Sequence, residues 1–355
     1  MWYAEQFVNT QVTCPNMRPL LCLIIALFFA LPGSAQTVLR DVDLRFDTRY
    51  DNIDNGRIEE RLQGAIRLGL RVDFNGFMDL VAFMSTGNKF TSRWSTLRDY
   101  NGGQDADPLA PRIRHVYLQK VYKHFRIQAG AIPPVKNVVS PTGLEPVGWI
   151  DGARFEWYNA ESSAIELVIG RLGSLRTPNA FARPTPFLSP QKINYVELEA
   201  SQQVTEQIRL EGSAEYFKDP FLRGEIRLNT KSDIETIAEA LVILDSRVFK
   251  TGLTVQFDVL KTLFDGQPDR LTLMVNHAYK DDAIGLRGQL ADDFFTFGHS
   301  VTIKPAGTLS KLWGLRWAVE AIFAEQPDTL DPELASLSNN DIYTRLKIAI
   351  QWRVR

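Results

Sequence analysis

The chain is poor in cysteine and histidine, has no surplus of either charge, and beyond residue 31 contains no long apolar run. Its two cysteines are Cys14 and Cys22. Both lie ahead of the expected processing site, so the exported chain would carry none, which excludes disulfides, a Cys-ligated zinc and a Cys nucleophile. Lys and Arg number 40 against 42 Asp and Glu, for a net charge of −2. With no basic cluster, a nucleic-acid partner is excluded, because phosphate binding needs a local surplus of cations. The histidines are His115, His124, His277 and His299. His299 and Ser300 are neighbours on an expected strand and point to opposite faces, while His277 shares parity with the apolar Leu271, Leu273 and Val275. No nucleophile meets a base, so no enzyme is expected. The acidic pairs Asp281-Asp282 and Asp292-Asp293 fall at expected turns, where carboxylates serve the turn, so no metal or other cofactor is expected.

What is present begins with a targeting pattern. Met17-Arg18 precedes an apolar stretch from Pro19 to Leu31, followed by Pro32-Gly33-Ser34-Ala35. A basic start, an apolar run of about 7–15 residues and small residues before the cut are the parts of a secretory signal peptide. Cleavage is expected after Ala35, leaving Gln36 as the new N-terminus. Residues 1–16 read as an upstream extension from an earlier start codon, 17–35 as the signal peptide and 36–355 as one domain. The apolar run falls short of the about 20 residues that a spanning helix needs. A mature chain in a membrane must therefore be a closed barrel.

Period-two alternation runs the length of that domain. In the last strand Ile342, Thr344, Leu346, Ile348, Ile350, Trp352 and Val354 share one parity, against Tyr343, Arg345, Lys347, Gln351, Arg353 and Arg355. The first strand sets Val42, Leu44, Phe46, Thr48 and Tyr50 against Asp41, Asp43, Arg45, Asp47, Arg49 and Asp51. Strands of matching character at the two ends would close a barrel by pairing. Leu62 to Phe74 ends at Asn75-Gly76, a tight hairpin signal, and Phe77 to Thr86 returns to a polar loop from Gly87 to Pro111. Further strands are expected at Arg112 to Tyr122, Phe125 to Ile132, Gly152 to Trp157, Ala164 to Leu172, Ile193 to Ala200, Ile208 to Phe217 and Leu222 to Leu228. Beyond these come Leu253 to Val259, Leu271 to Tyr279, Ile284 to Leu290, Phe295 to Ile303 and Leu315 to Phe323.

Ser232 to Phe249 is ambiguous, because Ile234, Ile237, Ala238, Leu241 and Val242 also fit helical spacing. Leaving it out gives about sixteen strands, an even number, with fourteen and eighteen as alternatives. The fold class is an all-β, transmembrane, antiparallel up-and-down barrel. Tyr50, Phe74, Trp157, Tyr216, Tyr279, Phe323 and Trp352 stand near strand ends as interfacial girdles would.

Arg112-Ile113-Arg114-His115-Val116-Tyr117-Leu118-Gln119, with Phe125-Arg126-Ile127-Gln128-Ala129-Gly130-Ala131-Ile132-Pro133-Pro134, resembles a hairpin of Gram-negative outer-membrane porins, more loosely of the phosphate-selective porin O and P group. Asp151-Gly152 opening the next strand is similar too. The general likeness spans nearly the whole mature chain, and the finer one only this region. The resemblance implies a bacterial outer-membrane barrel, in contact with lipid, passing small hydrophilic solutes and assembling as a homo-oligomer, a trimer. It also implies a terminal aromatic residue, from which this chain departs: Trp352 is followed by Arg353, Val354 and Arg355.

The charges of lumen parity are the candidate pore lining: Arg67, Arg71, Arg126, Arg154, Arg209, Arg223, Arg227, Arg316, Arg345 and Lys347, facing Glu156, Glu197, Glu199, Glu211, Glu225 and Glu320. Two outcomes are open. They line a water-filled pore and select by field and size, or they pair across strands and fill it, as Arg209 and Glu211 could with Arg223 and Glu225. In the first case, Arg67, Arg71, Arg126 and Arg154 form a basic wall opposite an acidic sector of Glu197, Glu199, Glu211 and Glu225. The loops Gly87 to Pro111 and Pro133 to Gly148 are the two candidates for an inward-folded constriction. The expected function is passive diffusion of small hydrophilic solutes or ions. The alternatives are a structural or adhesive barrel with a plugged lumen and a secreted soluble β protein that binds polysaccharide.

Overall fold

A computed structural model of the chain describes residues 37–54, 58–87, 92–101, 106–134, 142, 144, 147–159, 163–172, 179–180, 193–217, 219–229, 234–244, 249–260, 269–278, 298–310, 313–325 and 342–354. They form β1 (Thr37–Asp54), β2 (Ile58–Phe74), β3 (Met78–Ser85), β4 (Ser95–Asp99), β5 (Arg112–Val121), β6 (Phe125–Ile132), β7 (Ile150–Asn159), β8 (Ser163–Leu172) and β9 (Tyr195–Gln203). The second half supplies β10 (Ile208–Phe217), β11 (Asp219–Asn229), β12 (Ile234–Ile243), β13 (Phe249–Leu260), β14 (Asp269–Ala278), β15 (Gly298–Ser310), β16 (Leu315–Glu325) and β17 (Ile342–Val354). Among the described residues no helix is long and apolar enough to cross a membrane, which says nothing of strands.

The strands pair antiparallel with their neighbours in the chain, and β1 closes on β17 from Leu44 opposite Val354 to Asp54 opposite Thr344. Both β3 and β4 lie on the same edge of β2, β3 against Arg67–Phe74 and β4 against Arg61–Gly64. Seventeen strands thus fill sixteen wall positions of a closed antiparallel barrel.

The wall differs from the sequence expectation in its membership. Ser232 to Phe249 contains a strand, β12, paired on both edges. Its helical spacing arises because Ile237 and Leu241, which face inward, are as apolar as the outward Val242. Ile284 to Leu290 lies outside the described residues, and β14 pairs directly with β15. The signal peptide, Tyr279 and the four aspartates from Asp281 to Asp293 also lie outside them.

Alternation sets the facing. On β17, Leu346, Ile348, Ile350 and Trp352 are 40–45% exposed on the outer face. Trp352 stacks on the outward Phe46 of β1, with ring centroids 5.5 Å apart. The same outward exposure recurs at Leu118, Phe155, Trp157, Leu167, Leu198, Leu222, Ile226 and Phe323. Asn75 and Gly76, with φ of 52° and 72°, make the tight turn between β2 and β3.

A buried apolar cluster sits inside the barrel, at the end where β6, β8, β10 and β12 finish. It joins Ile132, Ile150, Val168, Leu172, Tyr195, Phe217, Phe221, Leu241 and Ile243 on inward parity to Leu144, Trp149 and Ala180 of the connecting segments. This part of the interior is packed like a protein core, which is how Leu144, Trp149 and Ala180 are held within the wall.

Candidate functional site: the barrel interior

The inner face of β9 to β12 is acidic by register. Glu211, Glu225 and Glu239 stand directly opposite one another on three adjacent strands, an arrangement that like-charge repulsion disfavours unless a cation intervenes. Arg223 is that cation: it reaches Glu211 at 2.8 Å, Glu225 at 2.6 Å and Glu239 at 3.8 Å, and it is 3% exposed. Arg227 adds contacts to Glu225 at 2.6 Å and Glu235 at 3.6 Å. Glu197 accepts a hydrogen bond from the Tyr195 hydroxyl at 2.9 Å, and Arg209 donates to Ser201 Oγ at 2.9 Å. Glu199 lies inward on β9, in register with Glu166 and Ser213.

Thr142, from the segment between β6 and β7, enters this cluster. Its backbone N–H donates to Glu239 at 3.1 Å and its hydroxyl to the same carboxylate, while Arg223 Nε donates to Thr142 Oγ1 at 2.9 Å. Thr142 therefore crosses the interior from the β6–β7 edge to β11 and β12, where it is fully buried. Gly148 O, next along, contacts His115 Nε2 at 2.6 Å on β5.

The inner face of β15, β16, β17, β1 and β2 has the opposite balance. Four carboxylates are each bracketed by two cations. Asp43 is held by Arg45 at 2.5 Å and Arg353 at 2.7 Å, and Asp47 by Arg67 at 2.7 Å and Arg93 at 3.6 Å. Asp51 is held by Arg345 at 2.7 Å and Arg49 at 3.4 Å, and Glu320 by Lys304 at 3.3 Å and by Lys347. Each triad carries one net positive charge. Asp43, Asp47 and Asp51 recur every fourth residue of β1, so the triads stand about 13 Å apart along the strand. Ala306, Ala318 and Ala349, inward on β15 to β17, are partly exposed, as are Lys347 and Gln351. Arg316 is exposed near the short-turn end, opposite Thr308 and Gln351.

The sequence-derived basic wall is displaced. Arg71 is neutralised by Asp79 at 2.6 Å, Arg126 by Glu156, and Arg154 by Glu166 at 3.0 Å. Arg154 is also buried against Gln128 Oε1 at 3.0 Å and Pro133 O at 2.9 Å. Glu156 stands directly opposite Arg126, while Asp79 and Glu166 lie on the diagonal, two residues from the positions opposite Arg71 and Arg154; of the four arginines only Arg67 belongs to the cation-rich sector. Interior residues absent from the sequence-derived lining include Asp43, Asp47, Asp51, Arg45, Arg49, Arg93, Arg353, Lys304, Thr142 and Glu239. The first strand's Asp and Arg parity displayed several of them, but the two-to-one bracketing depends on strand neighbours distant in sequence.

No protein-family model and no curated protein matches this chain. Solved structures do. The chain is similar in fold to Pseudomonas putida OprB, solved at low pH, with TM-score 0.53 and 10% identity over 88% of this chain and 92% of that one. Salmonella typhi OmpF, solved in complex with daunomycin, aligns with TM-score 0.54 and 9% identity over 88% and 97%. The anion-selective porin from Comamonas acidovorans aligns with TM-score 0.52 and 9% identity over 90% and 100%.

Proposed function

We propose that the chain is a bacterial outer-membrane channel for passive diffusion of small hydrophilic solutes, with a preference for anions. One observation carries this reading: four carboxylates on the β15–β2 wall each hold two cations, while half-way round the barrel the carboxylates outnumber the arginines. A solute passing between these walls meets a transverse field, which orients dipoles and favours anions on the basic side. The filled half beside β6 to β12 confines the water path to that basic side.

Support for the location comes from the apolar outer belt and from barrel closure, since a closed barrel leaves no backbone group unpaired in lipid. Residues 17–35 serve as the export signal in this reading, residues 36–355 as the barrel, and assembly is as a homotrimer. The function requires no cofactor and no covalent chemistry.

Swelling of liposomes containing the purified protein tests it. Small carboxylates should enter faster than amines of equal size, and neutral sugars should enter at an intermediate rate. Absence of swelling with every solute would overturn the channel.

A further inference from the structure

Residues 86–87 and 92–94, between β3 and β4, form a knot whose parts come from four strands. Thr86 Oγ1 donates to Arg93 O at 3.0 Å and accepts from Ile66 N at 3.1 Å, while Gly87 N donates to Ser95 Oγ at 3.2 Å. Arg114 of β5 lies beneath it, fully buried at the irregularity where β5 shifts register against β3. A single nitrogen, Nη2, lies 3.1 Å from Thr86 O, 3.0 Å from Gly87 O and 2.9 Å from Ser92 O. That guanidinium ties three backbone carbonyls of the knot to β5. It fixes the path of the chain.

That path delivers Arg93 and Trp94 to the basic wall. Arg93 reaches Asp47 at 3.6 Å, and the Trp94 ring carries the Arg49 guanidinium 4.3 Å from its centroid and that of Arg93 at 5.2 Å. Two cations from different triads are thus held against one indole face system. Gly87 explains why the knot can close: its φ is +97°, and a Cβ there would lie 2.3 Å from Ser92 O and 2.6 Å from the Arg93 carbonyl carbon.

We infer that Arg93 is a specificity-determining residue of the pore, holding anions beside Trp94 and Arg49, and that Arg114 is the positioning residue that puts it there. This rests on the channel reading above. It adds a second inward element, on the side of the barrel away from the Thr142 contact.

The test is the zero-current potential in a dilute KCl gradient, with folding checked by heat-modifiable migration in detergent gels. Arg93→Gln removes the surplus charge of the Asp47 triad, and the anion-to-cation permeability ratio should fall several-fold. Arg114→Gln and Gly87→Ala, which displace Ser92 and Arg93 by independent routes, should lower the ratio as far as Arg93→Gln does. Adding Arg93→Gln to either should change nothing further, because coupled sites are not additive. A folded Arg93→Gln channel with an unchanged ratio overturns the inference, as do losses that add. If Arg114→Gln fails to fold, Gly87→Ala and Arg93→Gln decide. Wild-type protein without conductance refutes the channel reading instead.

Discussion

Replacing Arg49 with Gln turns the Asp51 triad from net positive to neutral, since Arg345 remains on Asp51 at 2.7 Å. In a water-like dielectric an anion about 7 Å from one net positive charge gains about 0.6 kcal/mol, and a cation loses as much. At 0.01 M salt the screening length is about 30 Å, so about four-fifths of that difference survives, or a ratio of about five between anion and cation occupancy. At 1 M the length is about 3 Å, about a tenth survives, and the ratio falls to about 1.2. Arg49→Gln should therefore lower the anion-to-cation permeability ratio about fivefold at 0.01 M and leave it nearly unchanged at 1 M. The assay is the zero-current potential across a planar bilayer at two mean salt concentrations, with Arg40→Gln at the barrel rim as the control. An equal effect at both concentrations would refute the electrostatic argument, because only a change of pore shape is indifferent to salt.

Ile348 and Ile350 are each 45% exposed on the outer face, and Arg at either should cost about 2–4 kcal/mol in urea unfolding from lipid if it lies near the bilayer midplane. Ala at the inward Gln351 should cost far less, and the reverse order would show the register to be off by one. Thr142→Ala removes the hydroxyl shared by Glu239 and Arg223, so single-channel conductance should rise as the β6–β7 segment loosens; unchanged conductance would mean that the segment does not border the water path. Phe221, 2% exposed in the interior cluster, should cost about 3–5 kcal/mol on truncation to Ala, and a loss below about 1 kcal/mol would argue against a packed core there. N-terminal sequencing of the membrane-bound protein should begin at Gln36, and retention of residues 17–35 would contradict the export signal.

The outer wall was legible wherever one face of a strand is polar and the other apolar. β1 and β17 show this, with Asp and Arg on one parity and Leu, Ile and aromatic residues on the other, and so does the turn at Asn75-Gly76. Alternation failed at β12 for a physical reason: Ile237, Leu241 and Ile243 are buried on the inward face, the last two in the interior apolar cluster, so both faces carry apolar residues and the period blurs. The inward parity of Arg71, Arg126 and Arg154 was readable, but their neutralisation was not. That depends on the register, which sets Glu156 directly opposite Arg126 and puts Asp79 and Glu166 on the diagonal from Arg71 and Arg154. Arg114 was hidden more deeply. It sits at a register irregularity and donates to three backbone carbonyls, which no pattern of residue types reports.

Single-channel recording of the wild-type protein in planar bilayers bears most directly on the channel itself. Stepwise openings should be seen, with a zero-current potential in a dilute KCl gradient whose sign marks chloride as the more permeant ion. Openings that favour potassium would contradict the basic wall, and silence at every salt concentration would mean a plugged lumen and a structural or adhesive barrel.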